Sequence, residues 1–217
     1  MPERRRTRQH ALRSLVGASL CLLAAAATGV FAQSATPSAA PSATAAPAKS
    51  QANGRTIGQA IAIINPGFEE PATGARAPGW LTGQHWGPKR DYEWAVDTTV
   101  AAEGKASYRI RRLAPQAYGM IHQQVDVTAL AGKTLELSAQ LRTEDVGPEG
   151  WLLVVNIDSR HGILEQLRGT PVTGTTGWRR ETLRFKLPAE ATDVKLGVML
   201  LDGGTGWIDD VALRSLD

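Results

Sequence analysis

Cysteine is nearly absent from this sequence, which has one such residue, Cys21, among 217 positions. Cys21 lies in an apolar run near the start of the chain, so the rest of the protein has no thiol. A lone cysteine excludes an internal disulfide, and it also excludes a metal site built from cysteine ligands.

Histidine is scarce as well, with four residues in the whole chain. Three of them, His85, His122 and His161, lie beyond residue 32 and are widely spaced. The chain contains no His-Glu-x-x-His zinc motif and no Gly-x-Ser-x-Gly nucleophile elbow. The sequence therefore shows no catalytic constellation.

The first 32 residues have the features of an export signal. An arginine-rich start precedes an apolar run from Leu15 to Ala27, and Val30-Phe31-Ala32 supplies small residues that suit signal peptidase. The apolar run is short for a membrane span. We expect a signal peptide over residues 1 to 32 and a mature chain, periplasmic or extracellular, without a membrane span.

The positive charge of the chain belongs to this signal. The whole sequence has 24 basic and 21 acidic residues and an isoelectric point of about 9.2. Five of the basic residues and one acidic residue lie in residues 1 to 32, which leaves 19 basic and 20 acidic residues and a net charge of about −1. The basic isoelectric point therefore does not indicate a nucleic-acid partner.

The composition changes twice more along the chain. Residues 33 to 55 consist mainly of Ala, Pro, Ser and Thr, which cannot build a packed core and predict a disordered linker. Residues 56 to 217 are long enough for one domain with a core of its own. Two segments frame this domain, Asn65-Pro66-Gly67-Phe68-Glu69-Glu70 and Trp207-Ile208-Asp209-Asp210, and their acids would hold one hard cation if the segments meet.

Alternation with a period of two dominates the domain and predicts an all-β fold. In Leu135 to Arg142, every second residue is apolar and would face a core. We predict a two-sheet antiparallel jelly-roll sandwich, with a sandwich of another topology as the alternative. Runs of the same kind predict strands at Tyr92–Asp97, Ser107–Leu113, Gly119–Val127, Trp151–Asp158, Trp178–Leu187, Val194–Leu201 and Gly206–Leu213.

A series of short motifs supports this assignment by its order. The motifs are Asn65-Pro66-Gly67-Phe68-Glu69, Pro78-Gly79-Trp80, Gly104-Lys105-Ala106-Ser107, Gln123-Gln124-Val125, Gly132-Lys133-Thr134-Leu135, Gly177-Trp178 and Trp207-Ile208-Asp209-Asp210-Val211. The series resembles the galactose-binding-like jelly rolls, especially carbohydrate-binding modules of families 4 and 9, over residues 61 to 216. It is also similar to uncharacterised accessory domains of bacterial exported proteins, some of which accompany peptidases and regulators.

The resemblance implies a structural calcium ion where the first and last strands meet. Calcium takes six to eight oxygen ligands and tolerates irregular geometry. Its role would be to clamp the termini, and the alternative is that these acids simply mark solvated strand ends. The positions that match the family pattern are Glu69 or Glu70, Asp209 or Asp210, and main-chain oxygens near Gly104, Lys105 and Ser107.

A polar face on the strands is the predicted binding surface for a glycan. Carbohydrate recognition needs planar hydrogen-bonding groups together with aromatic rings that stack on a sugar. Any antiparallel sheet has polar residues on its solvent side, so a merely solvated face, with Trp94 in the core, is the alternative. The predicted ligand-binding residues are Trp86, Trp94, Tyr118, His122, Gln124, Gln140, Arg142, Asn156 and Asp158.

Three functions from different classes follow from these observations. The first is an exported, non-catalytic module that binds a polysaccharide or glycoconjugate. The second is an exported accessory domain of the same fold that binds another protein. The third is a small glycoside hydrolase, which needs two carboxylates at a set separation; Asp158 with Glu136 or Glu165 is the pair to consider.

Overall fold

A computed structural model describes residues 58 to 217 of the chain. The predicted signal peptide and linker lie outside the described residues. Within residues 58 to 217 the regular structure consists of antiparallel strands and one short 3-10 turn, which confirms the all-β prediction. No helix in this range is long and apolar enough for a membrane crossing.

Ten strands cover most of the described chain. Period-two alternation places one side of most strands in the core, and glycine, proline and aspartate separate them. The strands are β1 (Gln59–Ile61), β2 (Leu81–Gln84), β3 (Tyr92–Asp97), β4 (Ser107–Arg112), β5 (Gly119–Asp126), β6 (Thr134–Ser159), β7 (Gly162–Arg168), β8 (Val172–Lys186), β9 (Asp193–Leu200) and β10 (Thr205–Ser215).

Strand β6 has 26 residues and belongs to two sheets. Its first part, from Thr134 to Thr143, pairs with β10 and β8. Its second part, from Trp151 onward, pairs with β9 and β7. The bend between the two parts contains Asp145 and Gly150, which both have positive φ angles, at 53° and 84°. Such angles are rare outside glycine and mark a sharp change of direction.

The two parts of β6 therefore define two sheets that form a β-sandwich. Sheet A has the order β3, β4, β10, β6 and β8, with β1 paired to the end of β10. Sheet B has the order β2, β5, β9, β6 and β7. The series of paired strands begins at β2, an edge strand of sheet B, and ends at β3, an edge strand of sheet A.

The core fills the space between the sheets. Leu135, Leu137, Ala139 and Leu141 are fully buried, as their alternation predicts. They form one cluster with the inward residues of sheet B, including Trp151. Full burial of a leucine stabilises the fold by about 1.5–3 kcal/mol, so these alternating positions determine which side of each sheet is closed to ligands.

Three strands were not predicted from the alternation in the sequence. β1 and β2 are short and lie at the edges of their sheets, and β7 is exposed at six of its seven positions. Exposure on both sides removes the alternation on which the prediction depends. β6 also joins two predicted strands, because the chain between them bends without leaving the ladder.

Gly206 offers a test of the packing between the sheets. A Cβ atom there would lie 2.5 Å from Cδ2 of the buried Trp151 ring. We expect Gly206→Ala to lower the free energy of unfolding by about 1–3 kcal/mol, since an overpacked core must shift. Urea denaturation measures this change. Gly203→Ala is the matched control, because a Cβ at Gly203 meets nothing within 4 Å; equal stability of the two variants would contradict the packing argument.

Candidate functional site

The two end motifs meet in the structure. The backbone N–H of Val211 donates to the carbonyl oxygen of Pro66 at 3.0 Å. Phe68 is fully buried and its ring lies 5.0 Å from the ring of Trp80. The indole N–H of Trp80 donates to the carbonyl of Asn65 at 3.1 Å. The opening and closing motifs of the domain are thus joined by hydrogen bonds and by aromatic packing.

The buried acid of this joint is Asp209. Its Oδ2 accepts the backbone N–H groups of Ala102 and Glu103, at 2.8 and 3.0 Å, and its Oδ1 accepts the N–H of Asp210 at 2.7 Å. Burial raises the pKa of Asp209, while these three N–H groups act in the opposite direction. Asp210 lies at a β-bulge with a φ of 47° and pairs instead with Arg180.

Glu69 makes the second carboxylate contact of the joint. Its Oε1 accepts the backbone N–H groups of Lys105 and Ala106, at 2.7 and 3.0 Å. A side chain at Gly104 would place a Cβ 2.2 Å from that oxygen, and Gly104 has a φ of 63°, so the loop requires glycine. Ser107 uses its hydroxyl to bond the carbonyl oxygen of Val100 at 2.5 Å.

The predicted cation ligands are therefore only partly free to bind a metal. Oε1 of Glu69 and Oδ2 of Asp209 each face two N–H donors, whereas Oε2 of Glu69 accepts no hydrogen bond from the described residues. Glu70 is exposed. Across residues 58 to 217, no three Asp, Glu, His or Cys side chains converge. A cation at this joint would need main-chain carbonyl oxygens as well, which calcium accepts.

The outer face of sheet B, which we call the B face, has an apolar end and a polar end. The apolar end is a cluster of Leu152, Val154 and Met199, with Met120 and Tyr118 packed against it. Leu152, Val154 and Met199 are almost completely buried although they lie outside the main core. The B face thus has a second, small hydrophobic floor.

The polar end crosses four strands in one line. Gln124 of β5 lies opposite Lys195 of β9, Lys195 opposite Asn156 of β6, and Asn156 opposite Gln166 of β7. Gln166 donates to Oδ1 of Asn156 at 2.9 Å, and Arg168 donates to Oε1 of Gln166 at 3.1 Å. The line therefore presents amide and cationic groups that hold each other in place.

A half-buried histidine lies between the two ends, and a charged pair lies at the polar end. Nζ of Lys195 is 2.8 Å from Oδ2 of Asp158, which is mostly buried. Burial lowers the pKa of His122, and the nearby Lys195 ammonium lowers it further. Next to His122, the neighbouring position on β9 is Gly197, where a Cβ would lie 2.0 Å from the backbone of Ile121. The close approach of β5 therefore requires glycine at this position.

The structure separates two of the predicted ligand-binding residues from the others. Gln140 and Arg142 lie in the first part of β6, in sheet A, where Arg142 covers the ring of Trp207 at 5.5 Å. The three polar segments are not neighbours in sequence order, because β9 lies between β5 and the second part of β6. His122, Gln124, Asn156 and Asp158 do share the B face.

The three acids considered for hydrolysis do not all lie in the same sheet. Glu136 lies in sheet A, opposite Arg184, and pairs with it at 2.6 Å. Asp158 lies in sheet B and is paired with Lys195. Glu165 lies opposite Ile157, whose side chain is in the core.

The aromatic residues take three different positions. Trp86 lies in the loop after β2 and is 78% exposed. Tyr118 lies at the apolar end of the B face, and its ring centroid is 5.3 Å from that of His85. Trp94 is half-buried against the core and its ring is 5.8 Å from that of Tyr92. Tyr118 therefore connects the loop after β2 to the B face.

Three residues of the B face were not predicted from the sequence. Lys195, Gln166 and Arg168 complete the polar line. Lys195 is an outward position in an alternating strand, so the pattern alone could have identified it. Gln166 and Arg168 lie in β7, whose exposure hides it from any alternation signal.

The lowered pKa of His122 gives stability a defined pH dependence. The unfolded chain takes up this proton near pH 6.5, but the folded state does so only at lower pH. The contribution of His122 is therefore complete above pH 6.5 and is lost as the pH falls through the folded pKa. Urea denaturation at pH 7.5 and 5.0 should show a smaller loss of stability in His122→Gln than in the unchanged protein. His161→Gln, at an exposed turn, is the control and should retain the full loss; an identical loss in His122→Gln would contradict the assignment.

Comparison with known proteins supports the architecture. No protein-family model matches the chain. The uncharacterised HTH-type transcriptional regulator YbfP of Bacillus subtilis is 26% identical over 155 residues, which is 69% of this chain and 52% of the regulator. The chain therefore spans about half the length of this curated relative.

Solved structures with the same architecture differ widely in what they do. A Stig cyclase from Fischerella sp. TAU, in complex with an indole compound, has a TM-score of 0.56 at 15% identity and covers 73% of this chain and 98% of its own. A xylan-binding domain from CBM 22 has a TM-score of 0.50 at 16% identity, covering 70% and 92%. Tailspike protein 4 of bacteriophage CBA120 has a TM-score of 0.51 at 12% identity, covering 64% of this chain and 19% of its own. The chain thus has the β-sandwich fold that carbohydrate-binding modules share with other proteins.

Proposed function

We propose that this chain is an exported, non-catalytic carbohydrate-binding module with a jelly-roll topology, and that it binds a polysaccharide or glycoconjugate on the B face. The observation that carries the proposal is the polar line from Gln124 through Lys195 and Asn156 to Gln166. It lies beside an apolar floor on the same face. The B face also contains the four predicted binding residues His122, Gln124, Asn156 and Asp158. No other surface of the described residues combines so many predicted binding residues with an apolar floor.

This combination matches the chemistry of a sugar. Each pyranose ring has hydroxyl groups around its edge and carbon-bound hydrogens on its faces. Amide and charged side chains satisfy the hydroxyl groups, and charge-assisted hydrogen bonds are the stronger ones. Tyr118 and Met120, which are half-buried over the floor of Leu152, Val154 and Met199, supply the apolar contact. The pairs that hold Asn156, Gln166 and Arg168 in place reduce the entropy lost on binding.

The likeness to a xylan-binding domain supports the same proposal. Xylan is a neutral polysaccharide, and the B face offers hydrogen-bonding groups in a line long enough to cross four strands. The motif series that resembles families 4 and 9 adds a second, independent argument from sequence. We propose xylan-type neutral glycans as the first ligands to test.

A second function is favoured by the relation to a regulator. The matched region is about half of YbfP, whose name assigns it a DNA-binding helix-turn-helix class. A domain of this fold can therefore accompany a regulatory module, and the accessory-domain hypothesis assigns the B face to a protein partner. A glycan array separates the two functions, because an accessory domain for a protein partner would bind no glycan on it.

Substitutions on the B face should weaken binding to a neutral glycan. We expect Gln124→Ala with Asn156→Ala in the full chain to weaken binding to xylo-oligosaccharides at least tenfold, since two amide contacts of about 1 kcal/mol each are lost. Isothermal titration calorimetry measures the dissociation constant. Gln140→Ala is the matched control, an amide on the outer face of sheet A.

The control also decides between the two sheets. Unchanged binding in the double variant together with lost binding in Gln140→Ala would place the site on sheet A and contradict the proposal. Absence of binding to every neutral glycan on an array would contradict it as well.

We also propose that a structural calcium ion clamps the joint of the end motifs. The free Oε2 of Glu69 and the main-chain oxygens of the loop near Gly104 would hold it, with Asp209 beside them. Its charge would favour the ionised carboxylates and so stabilise the joint. We expect 1 mM calcium chloride to raise the melting temperature of the full chain and a chelator to lower it, because a ligand that binds only the folded state stabilises it.

Glu69→Gln should remove the calcium response, and Glu70→Gln, at the exposed neighbouring acid, should retain it. Differential scanning calorimetry measures both. A melting temperature that responds to neither calcium nor chelator would overturn this second proposal without affecting the first.

A further inference from the structure

A cavity of about 620 Å³ opens at the edge of the sandwich, outside the B face. It lies between the edge strand β2 of sheet B and Trp94 on the edge strand β3 of sheet A. The turn at residues 73 to 76 and the loop at residues 87 to 90 form its other walls. Its size lies in the range of about 300–1,000 Å³ that is usual for small-molecule sites.

The charge of this cavity has one sign. Arg76, Lys89 and Arg90 line it, and none of its lining residues is acidic. All three cations are exposed, and none of them has an ion pair or a side-chain hydrogen bond with any described residue. Their positive potential is therefore available to an anion from solution.

The loop that supplies two of these cations is held in a fixed shape. The amide of Gln84 donates to the carbonyl oxygens of Trp86 and Lys89, at 3.0 and 2.6 Å, and its oxygen accepts the N–H of Asp91 at 3.1 Å. Gln116 donates to the same carbonyl of Trp86 at 2.8 Å. Such a loop needs little ordering on binding, and it holds the Trp86 backbone while leaving the indole in solvent.

Strand β2 is the wall between this cavity and the B face. Gly83 lines the cavity and lies opposite Met120, at the apolar end of the B face. A Cβ at Gly83 would lie 3.8 Å from Cγ of Met120, an ordinary contact, so no bulky side chain blocks the strand at this position. A sugar chain that crosses β2 at Gly83 would pass from the B face to the cavity.

We infer that the cavity is a subsite for a carboxylate-bearing sugar, a uronic acid unit of an acidic polysaccharide. The carboxylate meets Arg76, Lys89 and Arg90, and the sugar ring contacts Trp94. Guanidinium groups bind carboxylates in a planar, two-pronged geometry that a neutral hydroxyl cannot match. This inference rests on the proposed glycan-binding function and specifies the charge of its ligand.

The test compares two ligands with the same sugar backbone, one with free carboxylates and one with methyl esters in their place. Oligogalacturonate and its methyl ester have the same backbone, and only the first bears carboxylates. We expect the full chain to bind oligogalacturonate more tightly than the ester, with an affinity that falls as salt concentration rises, because exposed ion pairs are screened. The double variant Lys89→Gln with Arg90→Gln should weaken binding to oligogalacturonate about tenfold, since two exposed pairs contribute up to about 1 kcal/mol each, and leave binding to the ester unchanged.

A matched charge control separates a site from general attraction. Arg160→Gln with Lys186→Gln removes one arginine and one lysine from exposed positions that do not line the cavity. Equal weakening in both double variants, or equal affinity for acid and ester, would overturn the inference.

The outcomes also distinguish this inference from the proposed function. Binding of xylo-oligosaccharides without any preference for oligogalacturonate over its ester retains the B face and overturns the acidic subsite. Binding of oligogalacturonate that is lost on Lys89→Gln with Arg90→Gln, in a chain that binds no neutral glycan, supports the subsite and overturns the B face as a site for neutral glycans. Absence of binding to either class overturns both.

Discussion

The continuity of β6 is the constraint on which the arrangement depends. One strand belongs to both sheets, since its first part pairs with β10 and β8 and its second part with β9 and β7. A one-residue slip would expose the leucines of the first part and bury the polar residues of the second, and burying an unpaired polar group is costly. The core therefore fixes which residues reach the B face.

The joint of the end motifs holds the beginning and the end of the sandwich domain together. Asp209 is buried, and its carboxyl group is satisfied because three N–H groups point at it. Residues with positive φ angles lie on both sides of the joint, at Asn65, Phe68 and Asp210. Backbone strain of this kind persists only where the surroundings hold it, and here Val211 and the Phe68 cluster provide that support.

The two proposed binding surfaces share β2 as their boundary. The B face offers amides above an apolar floor, while the edge cavity offers cations with no acid among them. Neither surface needs a large movement, because hydrogen bonds within the protein already hold Asn156 and the loop after β2 in position. A polymer that touches both surfaces would gain affinity from each of them at the cost of ordering one chain.

The sequence by itself determined the all-β class and the inward alternation of residues such as Leu135 and Leu137, because both depend on local pattern. Four of the predicted binding residues, His122, Gln124, Asn156 and Asp158, follow from the same alternation. Only the tertiary structure decided that the first part of β6 pairs with β10 and β8 in sheet A, which removes Gln140 and Arg142 from the B face. It alone also brought Arg76 to Lys89 and Arg90 at one edge, because strand order and loop packing depend on contacts between residues that are distant in sequence.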